Sequence, residues 1–500
     1  MEKQLAQLKQ RLGRIADIAG AMSLLSWDQE VNMPPGGTPA RADQMAAVGG
    51  LVHEMSIDEE LGALLEELNS QVDSLPFDSD DASLIRVTWR DYQKRVKLPP
   101  AMVAAFYAAA AMARQAWKEA RAKDDFSLFQ PHLERLIDME LEMAALLGGG
   151  VENPYDALVD YFEPGLTYAA IQQVFDTVKP ELVELVRAIG KAPRVDDSMM
   201  HGHFPADQQL AFGRMVAEKL GYNFERGRMD LSAHPFTSGA SLYDVRITTR
   251  VDESFFPSCL FSVIHEAGHA IHFQQQSPTL YRTGIGHASL SICESQSRFY
   301  ENILGRSRPF WRYFYPLLQE AIPSFRGVPL EAFYRAINRV EPSLIRVEAD
   351  EVTYGLHIML RFELENAVIN GRVKAADLPA EWNARMEQYL GIVPPNDAQG
   401  VLQDIHWSQM PMGYFPTYLL GSIFSAQLWE KLLEEHPSAP AEMEAGDYAP
   451  ITAWLGQKVH THGGKFTLPE MAERAVGAPL SSEPYLRYLK AKYSDIYGLS

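Results

Sequence analysis

The chain has 500 residues, 46% of them hydrophobic and 22% charged, so it holds enough apolar material for a large buried core and is not a disordered chain. A formal net charge of -20 opposes extended contact with nucleic acid or an anionic membrane surface. Its two cysteines, Cys259 and Cys293, cannot build a disulfide framework and fit a reducing compartment.

The opening segment "MEKQLAQLKQRLGRIADIAG" is charged and helix-forming from the start, with no apolar signal core. No run of about eighteen apolar residues follows. The expectation is a soluble cytoplasmic protein with no nucleic-acid or membrane partner. Further on, "PPAMVAAFYAAAAMARQAWKEARAKDDF" begins at a Pro-Pro step at Pro99 and is rich in alanine, which predicts a helix. "TYAAIQQVFDTVKPELVELVRAIG" has helical periodicity up to Gly190, and Pro180 should kink or split it. "SLYDVRITTRVD" changes period: Val245, Ile247, Thr249 and Val251 fall on one face, Asp244, Arg246, Thr248 and Arg250 on the other. That alternation predicts a half-buried strand. From Pro342, "PSLIRVEADEVTYGLHIMLRFELENAVING" reads as one long helix closed by a glycine. The fold class is mainly α, with a small sheet. No tandem repeat or low-complexity linker divides the chain, so residues 1–500 are expected to form one domain.

Just after the predicted strand comes "VIHEAGHAIHFQQ", starting at Val263. His265 and His269 are four residues apart and share one face of a helix, so both imidazoles can grip a single ion. Glu266, beside the first, can reach a water on that ion. This is the H-E-x-x-H arrangement of zinc peptidases, expected by chance on the order of 0.03 times in a chain of this composition. His272 lies on the same stripe as His265, but three ligands along one unbroken helix cannot wrap an ion tetrahedrally, so it is assigned either to support of the ligands from behind or to packing. A third ligand must come from another segment. "SLSICESQSRFYENILGR", from Ser289, supplies Glu294 and Glu301, and spacing alone does not choose between them.

The segments "HPF" at His234, "DVRIT" at Asp244, "HEAGH", "ESQSRFYEN" at Glu294, "IRVEAD" at Ile345, "GVLQDIHWS" at Gly400 and "GYFPTYLLG" at Gly413 together resemble the thermostable carboxypeptidase family of the carboxypeptidase Taq type. "LLSWDQEVNMPPGG" and "YDALVDYFEPG", nearer the start, are similar to it as well. The resemblance implies a metallocarboxypeptidase, usually a homodimer, with a large helical metallopeptidase fold and a deep active-site groove like that of the angiotensin-converting enzyme and neurolysin group. It also implies zinc, which cobalt can replace. Carried over residue by residue, the metal ligands fall on His265, His269 and Glu294, and the general base on Glu266. One position departs: the family usually has His immediately before the ligand glutamate, and here it is Cys293. A ligand's immediate neighbour rarely points at the same ion, so Cys293 is expected not to bind metal.

A tetrahedral intermediate also needs donors for its oxyanion. The resemblance to helical gluzincins places His406 and Tyr418 there, with Tyr414 as a rival. A carboxypeptidase must read a free terminal carboxylate, which arginine does best through its planar fork of donors. Arg346, four residues before Asp350 on the predicted helix and expected to be held by a salt bridge to it, is the first choice. Arg246, on a strand face with Asp244, is the second. In the family, the segments containing His234 and Asp244 are associated with the closed end of the groove. The expected activity is removal of C-terminal residues from peptides with broad specificity. The alternatives are an oligopeptidase or aminopeptidase with the same motif, or a non-catalytic peptide-binding relative. No "GxMEN"-like segment supports the aminopeptidase, and an intact Glu266 opposes the non-catalytic relative.

Overall fold

The computed structural model describes residues 1–499. It is built almost wholly of helices, with one three-stranded sheet. Two compact units can be distinguished. The first gathers Met1–Val96, Asp196–Ile337 and Ser425–Leu480; the second gathers Lys97–Val195, Asn338–Phe424 and Ser481–Ser500. Each unit is assembled from three separated stretches, which is why no single linker stands out in the sequence.

In the first unit the sheet has the order β1-β3-β2. β1 (Met229–Leu231) runs parallel to β3 (Asp244–Thr249), and β2 (Thr237–Ser241) runs antiparallel to it, with Thr237 opposite Ile247 and a bulge between Gly239 and Ser241. Val245 and Ile247 point inward as their alternation predicts. Thr248 departs from that pattern and is buried, because its hydroxyl accepts hydrogen bonds from Ser232 Oγ at 2.7 Å and the Phe236 N–H at 3.0 Å. The strand stops at Thr249, short of Val251.

The segment that follows folds as the helix Phe256–Gln274, buried on nearly all sides. It starts with Pro257 in its first turn, where the missing N–H costs nothing. Gly268 sits in its middle, where glycine is about 1 kcal/mol worse than alanine. A side chain there would stand 2.9 Å from the Gln296 carbonyl oxygen and 2.9 Å from Ser297 Cα, both on the helix Leu290–Arg298. The glycine therefore lets two helix backbones meet, and that contact brings Glu294 towards the histidines. Beyond Arg298 the chain widens into a π turn, Phe299–Leu304.

In the second unit the alanine-rich helix spans Pro100–Lys123. The helix Tyr168–Ile189 continues through Pro180. Pro180 and Asp176, whose carbonyl loses its helical donor, are both exposed, so the break lies on the solvent side of the helix, where it costs least. The long helix expected from Pro342 is not formed. Arg346–Glu348 is an isolated 3-10 turn, and the helix runs only from Thr353 to Ile369. Asp350 starts it: the carboxylate accepts from the N–H groups of Val352 (2.9 Å) and Thr353 (3.0 Å) and from the Thr353 hydroxyl (2.7 Å). An aspartate in that capping role lies outside the helix it begins.

Candidate metal and peptidase site

His265 and His269 come one turn apart on the buried helix, and Glu294 faces them from the next. Their ligand atoms all lie within 4.8 Å of one another, the one such group among the described residues. One Glu294 oxygen is 3.8 Å from His265 Nε2 and 3.6 Å from His269 Nε2. Atoms bound at about 2.1 Å to a shared tetrahedral ion stand roughly 3.4 Å apart, so this donor set fits a divalent cation with only small adjustment. Two imidazoles and one carboxylate are also donors that a borderline ion such as zinc takes, and they leave a fourth position open. Burial alone would raise the Glu294 pKa, but Arg298, His265 and His269 outweigh it and hold the carboxyl well below its usual range.

Glu301 does a different job. Its Oε2 lies 2.9 Å from His265 Nδ1, on the far side of the ring from Glu294. This contact fixes the ring's orientation and makes Nδ1 the protonated nitrogen, leaving Nε2 as the lone-pair atom. Arg298 ties the two acids together, with Nε 2.7 Å from Glu294 and Nη1 3.2 Å from Glu301. Cys293 turns away, its Sγ 3.5 Å from the Ala288 carbonyl oxygen. His272 is fully buried against the His460 ring at 5.0 Å, in a packing position. Removing a carboxylate that orients a ligand typically weakens metal affinity about 10- to 100-fold. Glu301→Gln should do so while the fold stays intact, measured by competition with a chelator. Unchanged affinity would make the Glu301 contact purely structural.

Glu266 is buried, and its carboxylate is anchored from β2. The Thr237 hydroxyl lies 2.6 Å from Glu266 Oε2 and 3.0 Å from the Glu266 carbonyl oxygen. Thr237 was not singled out from the sequence. It is 29 residues upstream, and only the β2–helix packing brings it near. On β3, Arg246 and Asp244 form the expected pair, with two bonds of 2.8 Å, and the guanidinium lies over the Trp27 ring at 4.3 Å. His234 is exposed in the loop before β2.

The remaining proposed groups belong to the second unit and meet one another there. His406 Nε2 is 3.3 Å from the Tyr418 hydroxyl, and the Tyr414 ring is 5.3 Å from that of Tyr418. Burial pushes the His406 imidazole down to about 3, so it is neutral at working pH. Arg346 does not pair with Asp350, contrary to the sequence expectation, because Asp350 is occupied at its helix start. Its partner is Asp404, two residues before His406: Nη2 donates at 2.8 Å and Nε at 3.2 Å.

Two buried acids hold the loop that bears His406 and the tyrosines. Glu365 accepts from Trp407 Nε1 (2.8 Å), the Gly413 N–H (3.0 Å) and the Tyr155 hydroxyl (2.7 Å), while Glu140 accepts from the Met412 N–H (3.2 Å). Burial raises Glu140 from 4.5 to about 8 and Glu365 to about 7. A carboxyl whose folded pKa is raised binds more protons folded than unfolded, so its contribution is complete below its unfolded pKa of 4.5 and is lost as pH rises through 7 to 8. The melting temperature should therefore fall between about pH 5 and pH 8, and Glu140→Gln should flatten that fall. An equally steep fall in the variant would assign the effect to other groups.

A near-continuous helical framework that presents two imidazoles and a carboxylate to one point, with a glutamate beside the first imidazole, defines a helical metallopeptidase. The chain belongs to the carboxypeptidase Taq (M32) metallopeptidase family, whose family model matches residues 7–493. It is a metallocarboxypeptidase. It is 39% identical to Carboxypeptidase 1 of Bacillus subtilis, covering 98% of this chain and 97% of that one. It is 38% identical to Thermostable carboxypeptidase 1 of Thermus thermophilus, covering 97% of each. The structure of the M32 carboxypeptidase from Deinococcus radiodurans superposes with a TM-score of 0.96 at 37% identity, over 99% of this chain and 100% of that one. The family implies a divalent metal and peptide substrates, and its helical fold agrees with the mainly α class read from the sequence.

Proposed function

We propose that the chain is a zinc-dependent carboxypeptidase that removes C-terminal residues from peptides with broad specificity, with Glu266 as general base. The observation that carries this reading is the convergence of His265, His269 and Glu294 beside an anchored Glu266. The ion, zinc here with cobalt able to replace it, would be held by those three residues. When bound, it supplies Lewis acidity and lowers the pKa of a water towards neutrality.

The chain's own residues supply the proton transfers and the charge recognition. Thr237 occupies Glu266 Oε2, which leaves Oε1 to take a proton from the attacking water and pass it to the departing amine nitrogen. His406 and Tyr418 donate to the developing oxyanion, and Tyr414, packed against both rings, is the rival donor. Arg346 holds the substrate's terminal carboxylate, with Arg246 as the second choice. Asp244 braces Arg246, and the exposed His234 is a further substrate contact. The same reading makes the protein a cytoplasmic homodimer that engages neither nucleic acid nor membrane. The net charge of -20 and a count of only two cysteines support that placement.

The test is digestion of one peptide with a free or an amidated C-terminus, followed by mass spectrometry with and without chelator. Stepwise loss from the free-acid peptide alone, abolished by chelator and restored by zinc or cobalt, is the expected result. Equal cleavage of both forms would favour an oligopeptidase, and release from the N-terminus an aminopeptidase.

A further inference from the structure

Arg346 and Arg361 share one carboxylate. Arg346 reaches both oxygens of Asp404 through Nε and Nη2, and its Nη1 is 3.2 Å from the Tyr354 hydroxyl. Arg361 reaches Asp404 Oδ2 from Nε at 2.6 Å and from Nη2 at 2.5 Å; Nη2 is also 2.9 Å from Gln403 Oε1, and Nη1 donates to the His357 carbonyl oxygen at 2.6 Å. Arg361 is fully buried and Arg346 is 5% exposed.

The surrounding groups do not balance this charge. Burial pushes His357 and His406 down to about 3, so both rings are neutral. Tyr354 and Tyr418 are phenols. Asp350 spends its oxygens on the start of the Thr353–Ile369 helix. Glu365 is taken by Tyr155, Trp407 and Gly413, and burial weakens its acidity to about 7. The cluster therefore contains two permanent cations and one firmly ionised carboxylate, an excess of about one positive charge. A buried charge without a counter-ion is costly, and removing one partner of a balanced pair creates that situation. Here the imbalance is built in.

We propose that Arg361 is a specificity-determining residue: by drawing on Asp404 it leaves Arg346 with a charge that a substrate's terminal carboxylate cancels. This rests on the reading of Arg346 as the carboxylate anchor. With Arg361 absent, Asp404 would neutralise Arg346 alone, and an incoming carboxylate would meet a balanced pair. Arg361 touches no substrate atom, and its part is played through Asp404 and Arg346.

The experiment measures competitive inhibition of the metal-loaded, full-length enzyme by 3-phenylpropionate and by 3-phenylpropionamide, an acid and an amide of the same shape. The wild type should bind the acid more tightly. Arg361→Gln should reduce the ratio of acid to amide affinity at least about tenfold, with the amide little changed. Arg361→Lys, which keeps the charge, should retain most of the preference. The double variant Arg361→Gln/Asp404→Asn restores the excess charge and should recover the preference, which a purely structural role for Arg361 would not allow. If Arg361→Gln does not fold, Asp404→Asn alone decides the matter, because it raises the positive charge and should not lower the ratio. An undiminished ratio in Arg361→Gln, a double variant no better than the single one, or a lost preference in Asp404→Asn overturns the proposal. Arg346→Ala separates the two levels. If it leaves the acid preference intact, the anchor reading itself fails. If it removes the preference and Arg361→Gln does not, only the role of Arg361 fails.

Discussion

Glu266→Gln should keep metal and bind peptide, yet lose turnover by about 10²- to 10⁴-fold, the usual range for removal of a positioned general base. The substitution is nearly isosteric. It keeps the buried side chain in place, and the amide oxygen can still accept from the Thr237 hydroxyl, 2.6 Å from the carboxylate in the present structure. It removes only the capacity to take a proton. Neither metal ligation by His265, His269 and Glu294 nor the bond between His265 and Glu301 involves this carboxylate. Metal content by atomic absorption and peptide affinity by inhibition should therefore be close to wild type, while kcat falls. Equal losses in metal content and activity would instead mean that Glu266 supports the metal cluster. Near-normal turnover in a metal-replete variant would remove it from the mechanism.

How far the sequence discloses this site depends on the range of the interactions involved. The positions of His265, Glu266 and His269 are set by helical spacing, a local property, so the motif is visible in five residues. The contrast between Glu294 and Glu301 is not local. One faces the Nε2 atoms and the other Nδ1, because Gly268 lets the two helices touch and a π turn follows Arg298. Neither feature leaves a periodic trace. Similarly, Asp350 was expected to brace Arg346 because four-residue spacing implies one helical face. The aspartate instead begins the helix, and the real partner, Asp404, lies 58 residues away. The signal that could have found it was an acid two residues before His406, already prominent in "GVLQDIHWS". The Thr353–Ile369 helix is buried on almost every side, so it shows no polar stripe that would have marked its true start. β3 was legible because Val245 and Ile247 alternate with partly exposed neighbours; the reading failed at the strand's end, short of Val251, and at Thr248, where hydrogen bonding offsets burial of a polar side chain.

Arg346→Ala should reduce kcat/KM for free-acid peptides by about 30- to several-thousand-fold, the range for removing one partner of a charge-assisted pair in a desolvated setting, roughly 2–5 kcal/mol. Its effect on residual cleavage of the matching amides should be much smaller. The argument for Arg346 over Arg246 is one of charge. Arg246 is paired one-to-one with Asp244 by two bonds of 2.8 Å, so its charge is already answered. Arg346 must share Asp404 with Arg361, so part of its charge is not. Each side chain also rests on aromatic faces, Arg246 over Trp27 at 4.3 Å and Arg346 over Tyr418 at 5.2 Å, so stacking does not separate them. Both variants should be assayed on one acid and amide pair of the same peptide. Selective loss on the acid in Arg346→Ala places the anchor there. Equal loss on both peptides would make Arg346 a structural support for the loop bearing His406 and Tyr418. Loss of the acid preference in Arg246→Ala alone would transfer the anchor to β3, where the charge argument predicts it does not lie.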